Sequence, residues 1–477
     1  MTTPPITGIT GGVAGRVAVL AATYAAVRRL ADLFDAAGDR LRERAADDAR
    51  LLTDPDLLES APLSPVSFAE AEARVLDATT GVHGVLEASV VIEADALLVR
   101  ATVTAYQECD RFVAASFEAL DYGLGRAVGS ALVAGAPSLL LVGLAAGPAW
   151  GRLPPDARAR LGDDAQEWAD DHPTVVQHGV DASGGLLDGL LAGAPFLPGL
   201  LGLASFHPTA ADAAADLAGL YPAETPPRIR RRTDLWVPLG DRPPDDLADL
   251  MRHLDQTNDL SAPARAGDQG TIEVQTLHAD DGTVRHVVYL PGTDELATLP
   301  WSHDGDVRDL PADLRVIAGD HTAYAAGIER AMHDAGIGPH DPVLLVGHSL
   351  GGIEASSLLA HGSGFEVTHV VTAGAPIAGI HDYPAGTHVL SLENRGDVVP
   401  LLDGRENADS VAQVTVQFDD HETSIAGNHD LRHYIRGALA TEASPDPSVR
   451  EQLSSLAGQG FLGSSGPATS QVFQITR

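Results

Sequence analysis

Residues 342–362, PVLLVGHSLGGIEASSLLAHG, limit the fold more than any other stretch of this 477-residue chain. The run PVLLVG is apolar without alternation, so a strand built from it must be buried on both faces. The residues that follow, SLGGIEASSLLAHG, read as a helix whose small side chains let it lie close on a sheet. A doubly buried strand followed at once by a helix belongs to a mostly parallel sheet covered by helices. The same grammar continues nearby. EVTHVVTAG, THVLSLEN and AQVTVQF are short strand-like runs, and TIEVQTLHADDGTVRHVVYLPGT reads as two strands around a turn at Asp281-Gly282. Residues 271–440 are therefore expected to form an α/β domain with a mostly parallel sheet and flanking helices.

The junction of strand and helix also carries chemistry. Gly347-His348-Ser349-Leu350-Gly351 fits G-x-S-x-G, a strained turn that exposes a serine hydroxyl. With 49 glycines in the chain, the pattern alone carries little weight; a strand before it and a helix after it are the context it needs. A serine hydroxyl is a weak nucleophile, so it needs a base, and the base needs an orienting acid. In this arrangement they follow in the order serine, acid, histidine, each after a strand. Asp397 lies in RGDVVP, just beyond HVLSLEN, and Glu393 inside that strand is the competing carboxylate. His429 follows AQVTVQF at a loop-to-helix junction, and His433, one turn later, is the alternative base. The junction favours His429, because it reaches the serine more readily than a position inside a helix. Asp430 beside it reads as a helix-start carboxylate. Two N–H groups would receive the oxyanion: that of Leu350, opening the helix, and that of Thr293 in LPGTDEL, with the Thr293 hydroxyl as a further donor. This chemistry needs no metal and no cofactor. H-E-x-x-H, a Walker loop and a G-x-G-x-x-G opening a βαβ unit are absent from the sequence. His381 and His388 read as loop surface rather than metal ligands.

The first 221 residues read differently. Val17, Leu20, Tyr24, Val27, Ala31 and Phe34 recur at three- and four-residue steps, the stripe of an amphipathic helix, and a second pattern runs from about Ser67 to Arg126. An antiparallel helical bundle is expected. Two apolar segments follow, 127–150 without any charge and 184–206 with only Asp188. The first is long enough to span a bilayer. Membrane contact through the pair is one reading; burial in a soluble fold is favoured, because both hold glycine and proline and neither has basic flanks or an aromatic belt. Residues 222–270, rich in proline and charge, read as a linker. Within it, Arg228–Arg232 reads as a locally paired surface run rather than a phosphate site. Residues 441–477 read as a C-terminal tail, for whose last stretch, LGSSGPATSQVFQITR, disorder is the simplest expectation.

Charge narrows the partners. Sixty-six acids stand against 31 basic residues, every one an arginine, and a net charge of −35 would repel nucleic acid and anionic membrane alike. The single cysteine, Cys109, excludes an internal disulfide and a cysteine-based zinc site. The N-terminus has no basic region before its apolar run, so no cleavable leader is read. A cytoplasmic location and export by a route needing no such leader both stay open.

YLPGT, GHSLGG, TAGAPIAG, ENRGDVVP and the histidine ahead of Tyr434 occur in the order found in α/β-hydrolases, and the set resembles most the class 3 lipase-like group. The resemblance covers roughly residues 271–440. It implies an α/β-hydrolase fold, a triad of Ser349, Asp397 and His429, an oxyanion hole at Leu350 and Thr293, and an elbow formed by Gly347, His348 and Gly351. It implies hydrolysis of an ester, most often of a lipid. Two departures qualify the match. Five residues separate His429 from Tyr434, where three is common in lipases. The short run between Thr293 and the helix near Tyr324 leaves little room for a large lid, with LATLPWSHDGD and its Trp301 as the best small flap. A short-acyl ester or a phospholipid is thus as plausible a substrate as triglyceride. The helical half is similar, less specifically, to modules that precede hydrolase domains in proteins exported by type VII secretion. YQECD, Tyr106 to Asp110, fits the Y-x-x-x-[D/E] signal of that route, although no W-x-G turn stands in the expected place. An acyltransferase using the same triad, and a secreted or membrane-acting effector, are the alternative functions.

Overall fold

A computed structural model describes residues 3–81, 83–104, 122, 126, 183–193, 204, 206–261, 268–278, 282–294, 305–403, 406–421 and 425–477. It divides into two units, one of residues 19–117 and one of residues 1–18 with 118–477. Of the features singled out above, the segment 127–150, Cys109, YQECD, Asp281 and Trp301 lie outside the described residues.

The smaller unit is helical, as its stripes predict. Most of α1 (Arg16–Arg50) belongs to it, with α2 (Pro55–Ser60), α3 (Pro65–Thr80) and a helix over 85–104. Asp54 starts α2 by accepting from the N–H groups of Asp56 and Leu57, ahead of a proline whose missing N–H costs nothing there. Arg100 pairs with Asp32 at 2.6 Å and with Asp35 at 2.7 Å, and Arg42 pairs with Glu93, so α1 and the 85–104 helix run antiparallel. The second pattern does not continue unbroken from Ser67 to Arg126. It is interrupted at 81–84, where a Cβ on Gly81 would stand 2.4 Å from the carbonyl oxygen of Asp77.

The larger unit is built on a nine-stranded sheet: β1 (Ile6–Gly11), β2 (Arg228–Arg231), β3 (Thr271–His278), β4 (Val284–Leu290), β5 (Pro342–His348), β6 (Glu366–Ala373), β7 (His388–Asn394), β8 (Gln413–Phe418) and β9 (Ala468–Thr476). The order across the sheet is β1-β8-β7-β6-β5-β4-β3-β9-β2. Strands β4 to β8 are joined in parallel, and the outer joins are antiparallel. The helices are α4 (Ser183–Gly193), α5 (Ala210–Ala218), α6 (Leu247–Asn258), α7 (Leu310–Ile317), α8 (Ala323–Ala335), α9 (Leu350–His361), α10 (Ile425–Asn428), α11 (Leu431–Glu442) and α12 (Pro447–Gly458). Helices α7, α8 and α9 cover one face of the sheet through Val316, Ile328, Met332, Ile353 and Leu358. Helices α6, α11 and α12 cover the other through Leu250, Leu254, Leu431, Val449 and Leu456. Strand β5 explains its own composition. Val343 and Leu345 meet the first layer, Leu344 and Val346 the second, and all four are fully buried. Each such side chain contributes roughly 1.5–3 kcal/mol.

The sheet reaches well past residues 271–440 in both directions. The N-terminal segment is not wholly helical: β1 lies along β8 as an edge strand. Its sequence, ITGITG, has two glycines and hides the pattern of a strand. The expected linker supplies β2 and the amphipathic α6, whose Leu247, Leu250, Met251 and Leu254 sit in the core. Of its arginines, Arg232 is paired, with Asp234 at 2.7 Å and Asp268 at 2.6 Å, but it is buried rather than on the surface. The expected tail is ordered, and β9 lies between β3 and β2. No described helix is long and apolar enough to cross a membrane. In α4 the single charge of the second apolar segment, Asp188, is buried and accepts from Tyr122 Oη at 2.6 Å and from the His207 N–H at 2.9 Å.

Glu354 is the odd residue of this core. It lies fully buried in α9, where the Thr322 hydroxyl donates to it, and burial pushes its carboxyl up to about 8. The folded chain therefore keeps a proton that the unfolded chain, at the ordinary 4.5, releases. The contribution of Glu354 to stability is greatest below the ordinary carboxylate value and falls as pH rises from there to about 8. Glu354→Gln, which keeps an acceptor for Thr322 but cannot ionise, is expected to gain roughly 1–3 kcal/mol over the native chain at pH 8 and little at pH 4. Urea unfolding at the two pH values checks this; equal differences at both would refute it.

Candidate active site

The parallel strands end together, and the residues singled out in the sequence lie at those ends. Ser349 is the single residue between β5 and α9. Its φ of 52° and ψ of −125° place it where side chains rarely go; among the described residues only His421 is another non-glycine with positive φ. Such a conformation costs of order 1–3 kcal/mol and persists only where its surroundings impose it. Here they do. The Ser349 N–H donates to the Ala373 carbonyl at the end of β6 at 3.0 Å, and the Ser349 carbonyl accepts from Gly352 and Ile353 in the first turn of α9. Close approach also fixes the flanking glycines. A Cβ on Gly347 would stand 2.3 Å from Gly351 O, and one on Gly351 would stand 2.0 Å from Leu290 O.

Leu350 opens α9, so its N–H has no acceptor within the helix and is free to meet a ligand. The loop after β4 runs alongside. A Cβ on Gly292 would stand 2.8 Å from Ser349 Cβ, which places the Pro291–Thr293 backbone against the serine. The Thr293 hydroxyl is committed elsewhere: it donates to both Asp313 oxygens, at 3.0 and 3.1 Å. The expected second role of that hydroxyl as an oxyanion donor therefore falls away in this arrangement, and the Thr293 N–H is left as the donor to consider. Burial pushes the Asp313 carboxyl up to about 7.

Asp397 and His429 are brought together. The His429 Nδ1–H donates to Asp397 Oδ2 at 2.6 Å, so Nε2 is the ring nitrogen not engaged by the carboxylate. Asp397 is buried and takes two more donors, Tyr434 Oη at 2.6 Å on Oδ2 and the Val399 N–H at 2.9 Å on Oδ1. A Cβ on Gly374, just after β6, would stand 2.9 Å from Asp397 Oδ2 and 3.1 Å from His429 Cε1. Ser349, anchored to Ala373, thus shares this corner with both. Among the described residues Ser349 Oγ has no hydrogen-bond partner, so the serine-to-histidine link is open in this structure.

His348, the x of the motif, does more than fill a turn. Its Nε2–H donates to the His429 carbonyl at 2.9 Å, and the two rings lie 4.3 Å apart. Burial holds the His348 imidazole uncharged, well below its ordinary value. Asn394 steadies the approach to His429 by donating to Asn428 O and Oδ1, both at 3.1 Å. The alternative base has a different partner: His433 Nδ1 meets Asp420, which also accepts from Arg436. Glu393, the competing acid, is bonded to Asn407 at 2.6 Å and Gln417 at 3.1 Å, and burial raises its carboxyl to about 7. Asp430 caps α11 through the Arg432 N–H, so His429 stands just outside that helix rather than opening it. His388 starts β7 and stacks on His369 at 4.9 Å instead of lying in a loop, while His381 is exposed.

Sequence reasoning missed the roles of Tyr434, His348 and Asp313. Tyr434 was visible only as a spacing mark. Its tie to Asp397 depends on α11 and the β7 loop meeting in space, which no local pattern encodes. No family model, curated protein or solved structure matches this chain.

Proposed function

We propose that the protein is a serine hydrolase of carboxylic esters, of the α/β-hydrolase kind that its motifs resemble. The observation that carries this reading is the strained Ser349 held between β5 and α9 beside a hydrogen-bonded Asp397–His429 pair. A backbone of that shape would be relaxed by glycine, so a serine there implies a use for its hydroxyl. Ser349 Oγ attacks the ester carbonyl while His429 Nε2 takes its proton. Asp397 holds the imidazole in the required tautomer and stabilises its charged form. The N–H groups of Leu350 and Thr293 receive the oxyanion. Collapse of the tetrahedral intermediate expels the alcohol, which takes the proton from His429, and leaves an acyl-serine. Water then attacks that ester with His429 again as base, releasing the acid and freeing Ser349.

The direct test is labelling with a fluorophosphonate, which reacts with activated serines. The native chain is expected to be labelled and Ser349→Ala to remain unlabelled. A folded native chain that resists the probe, or a label retained in Ser349→Ala, would remove Ser349 from the mechanism.

A further inference from the structure

Arg308 is fully buried, and its side chain reaches the residue next to Thr293. The Asp294 N–H donates to Arg308 O at 2.8 Å, while Arg308 Nη2 donates back to Asp294 Oδ2 at 2.5 Å. The two residues are thus joined through main chain and side chain at once. Asp294 Oδ2 also accepts from the Gly270 N–H at 2.9 Å, ahead of β3, and Arg308 Nη2 also donates to Ser261 Oγ at 2.7 Å. Arg308 itself is steadied by its N–H, which donates to Asp306 Oδ1 at 3.0 Å. Asp294 is therefore tied to separate segments of chain on the side of Thr293 away from the serine. On the near side, Gly292 lies against Ser349.

A guanidinium in this position is a poor choice for stability. Taking it from water is costly, and among the described residues its Nε and Nη1 have no hydrogen-bond partner. What the arrangement achieves is geometric. With Asp294 fixed through both its amide and its carboxylate, the peptide linking Thr293 to Asp294 cannot swing, which pins the Thr293 Cα. The preceding Gly292–Thr293 peptide, which carries the Thr293 N–H, is then confined between that point and the contact of Gly292 with Ser349.

We propose that Arg308 is a positioning residue, clamping Asp294 so that the Thr293 N–H stays aimed at the oxyanion. The proposal rests on the ester-hydrolase reading of the site. A donor that acts on the transition state more than on the bound ester affects kcat and leaves KM nearly alone. The test is steady-state turnover of p-nitrophenyl acetate by the full chain, with active sites counted by fluorophosphonate labelling. Arg308→Met is expected to lower kcat per labelled site by about 30-fold, with KM within about twofold of native and the half-maximal pH unmoved. Arg308→Lys, which can still reach one carboxylate oxygen, should recover part of the loss. Native kcat per labelled site in Arg308→Met, with only the labelled fraction reduced, is what a merely structural role gives, and it overturns the proposal. Should Arg308→Met fail to fold, Ser261→Ala removes the second anchor of Nη2, together with the Ser261 contacts to Asp268 O and Thr271 Oγ1, while leaving Arg308 and Asp294 in place. A measurable fall in kcat then supports the clamp, and an unchanged kcat overturns it. A native chain that neither labels nor turns over the ester overturns the hydrolase reading as well; a native chain that does both, beside unaffected variants, overturns the clamp alone.

Discussion

Ser349→Ala is expected to lower ester turnover by about 10⁶-fold, the scale on which a nucleophile is lost when base and oxyanion donors remain. The loss should be purely catalytic. Among the described residues Ser349 Oγ makes no hydrogen bond, so its removal breaks none, and alanine inherits the same backbone strain. The thermal unfolding midpoint should consequently stay within a few degrees of native. Ser349→Gly separates the two roles of the position. It is equally inactive but free of the Cβ penalty at φ 52°, and should be more stable than Ser349→Ala by about 1–2 kcal/mol. Chemical denaturation of the three proteins, with turnover measured on the same samples, decides the matter. Turnover by Ser349→Ala within a hundredfold of native would transfer the reaction to another residue.

Asp397→Asn carries the second large effect, and the reason lies in its three donors. His429 Nδ1–H and Tyr434 Oη both give to Oδ2, and the Val399 N–H gives to Oδ1. An asparagine offers one acceptor and one donor in their place. With its NH₂ toward Oδ2, it confronts two donors and drives the imidazole proton to Nε2, where His429 can no longer take the proton of Ser349. Turned the other way, the NH₂ opposes the Val399 N–H and strains the loop. The first arrangement relieves more than it costs, because His429 can change tautomer and the Tyr434 hydroxyl can rotate. The expected fall in kcat is about 10⁴-fold, with fluorophosphonate labelling slowed in proportion. Activity within tenfold of native would show that His429 is oriented without Asp397, and would turn attention to its carbonyl contact with His348.

The parallel core was legible because its signals are local. PVLLVG could only be a buried strand, and the small residues of SLGGIEASS could only be a close-packed helix. Order along the chain, together with position in a loop after a strand, then favoured Asp397 over Glu393 and His429 over His433. The outer strands were not legible for the opposite reason. In β9 the polar residues are satisfied by distant partners: Gln471 Nε2 donates to Ala335 O, Gln474 Nε2 to Gln269 O, and Ser470 Oγ to Glu273. A strand stabilised in this way shows no apolar alternation and reads as a tail. Strand β1 is hidden by its glycines, and α6 by the prolines and charges around it, although its own leucines recur at helical spacing. Around the serine, the sequence named the residues that meet at the strand ends. It could not show that the Thr293 hydroxyl turns to Asp313, because that contact joins the loop after β4 to a helix some twenty residues on.

The seat of β9 between β3 and β2 also shapes how the protein is born. Ser470 bonds to Glu273 across 197 residues of sequence. At ribosomal rates of roughly 5–20 residues per second, β3 leaves the exit tunnel some 10–40 s before the strand that must lie beside it. Through that interval one flank of β3 presents its unpaired N–H and C=O groups to whatever strand comes near, including another nascent chain. The larger unit therefore cannot complete its sheet until β9 has been made. A crowded polysome or slowed synthesis would expose it to misassembly, and a holding chaperone acting at that stage would raise the yield of folded protein more than one acting afterwards.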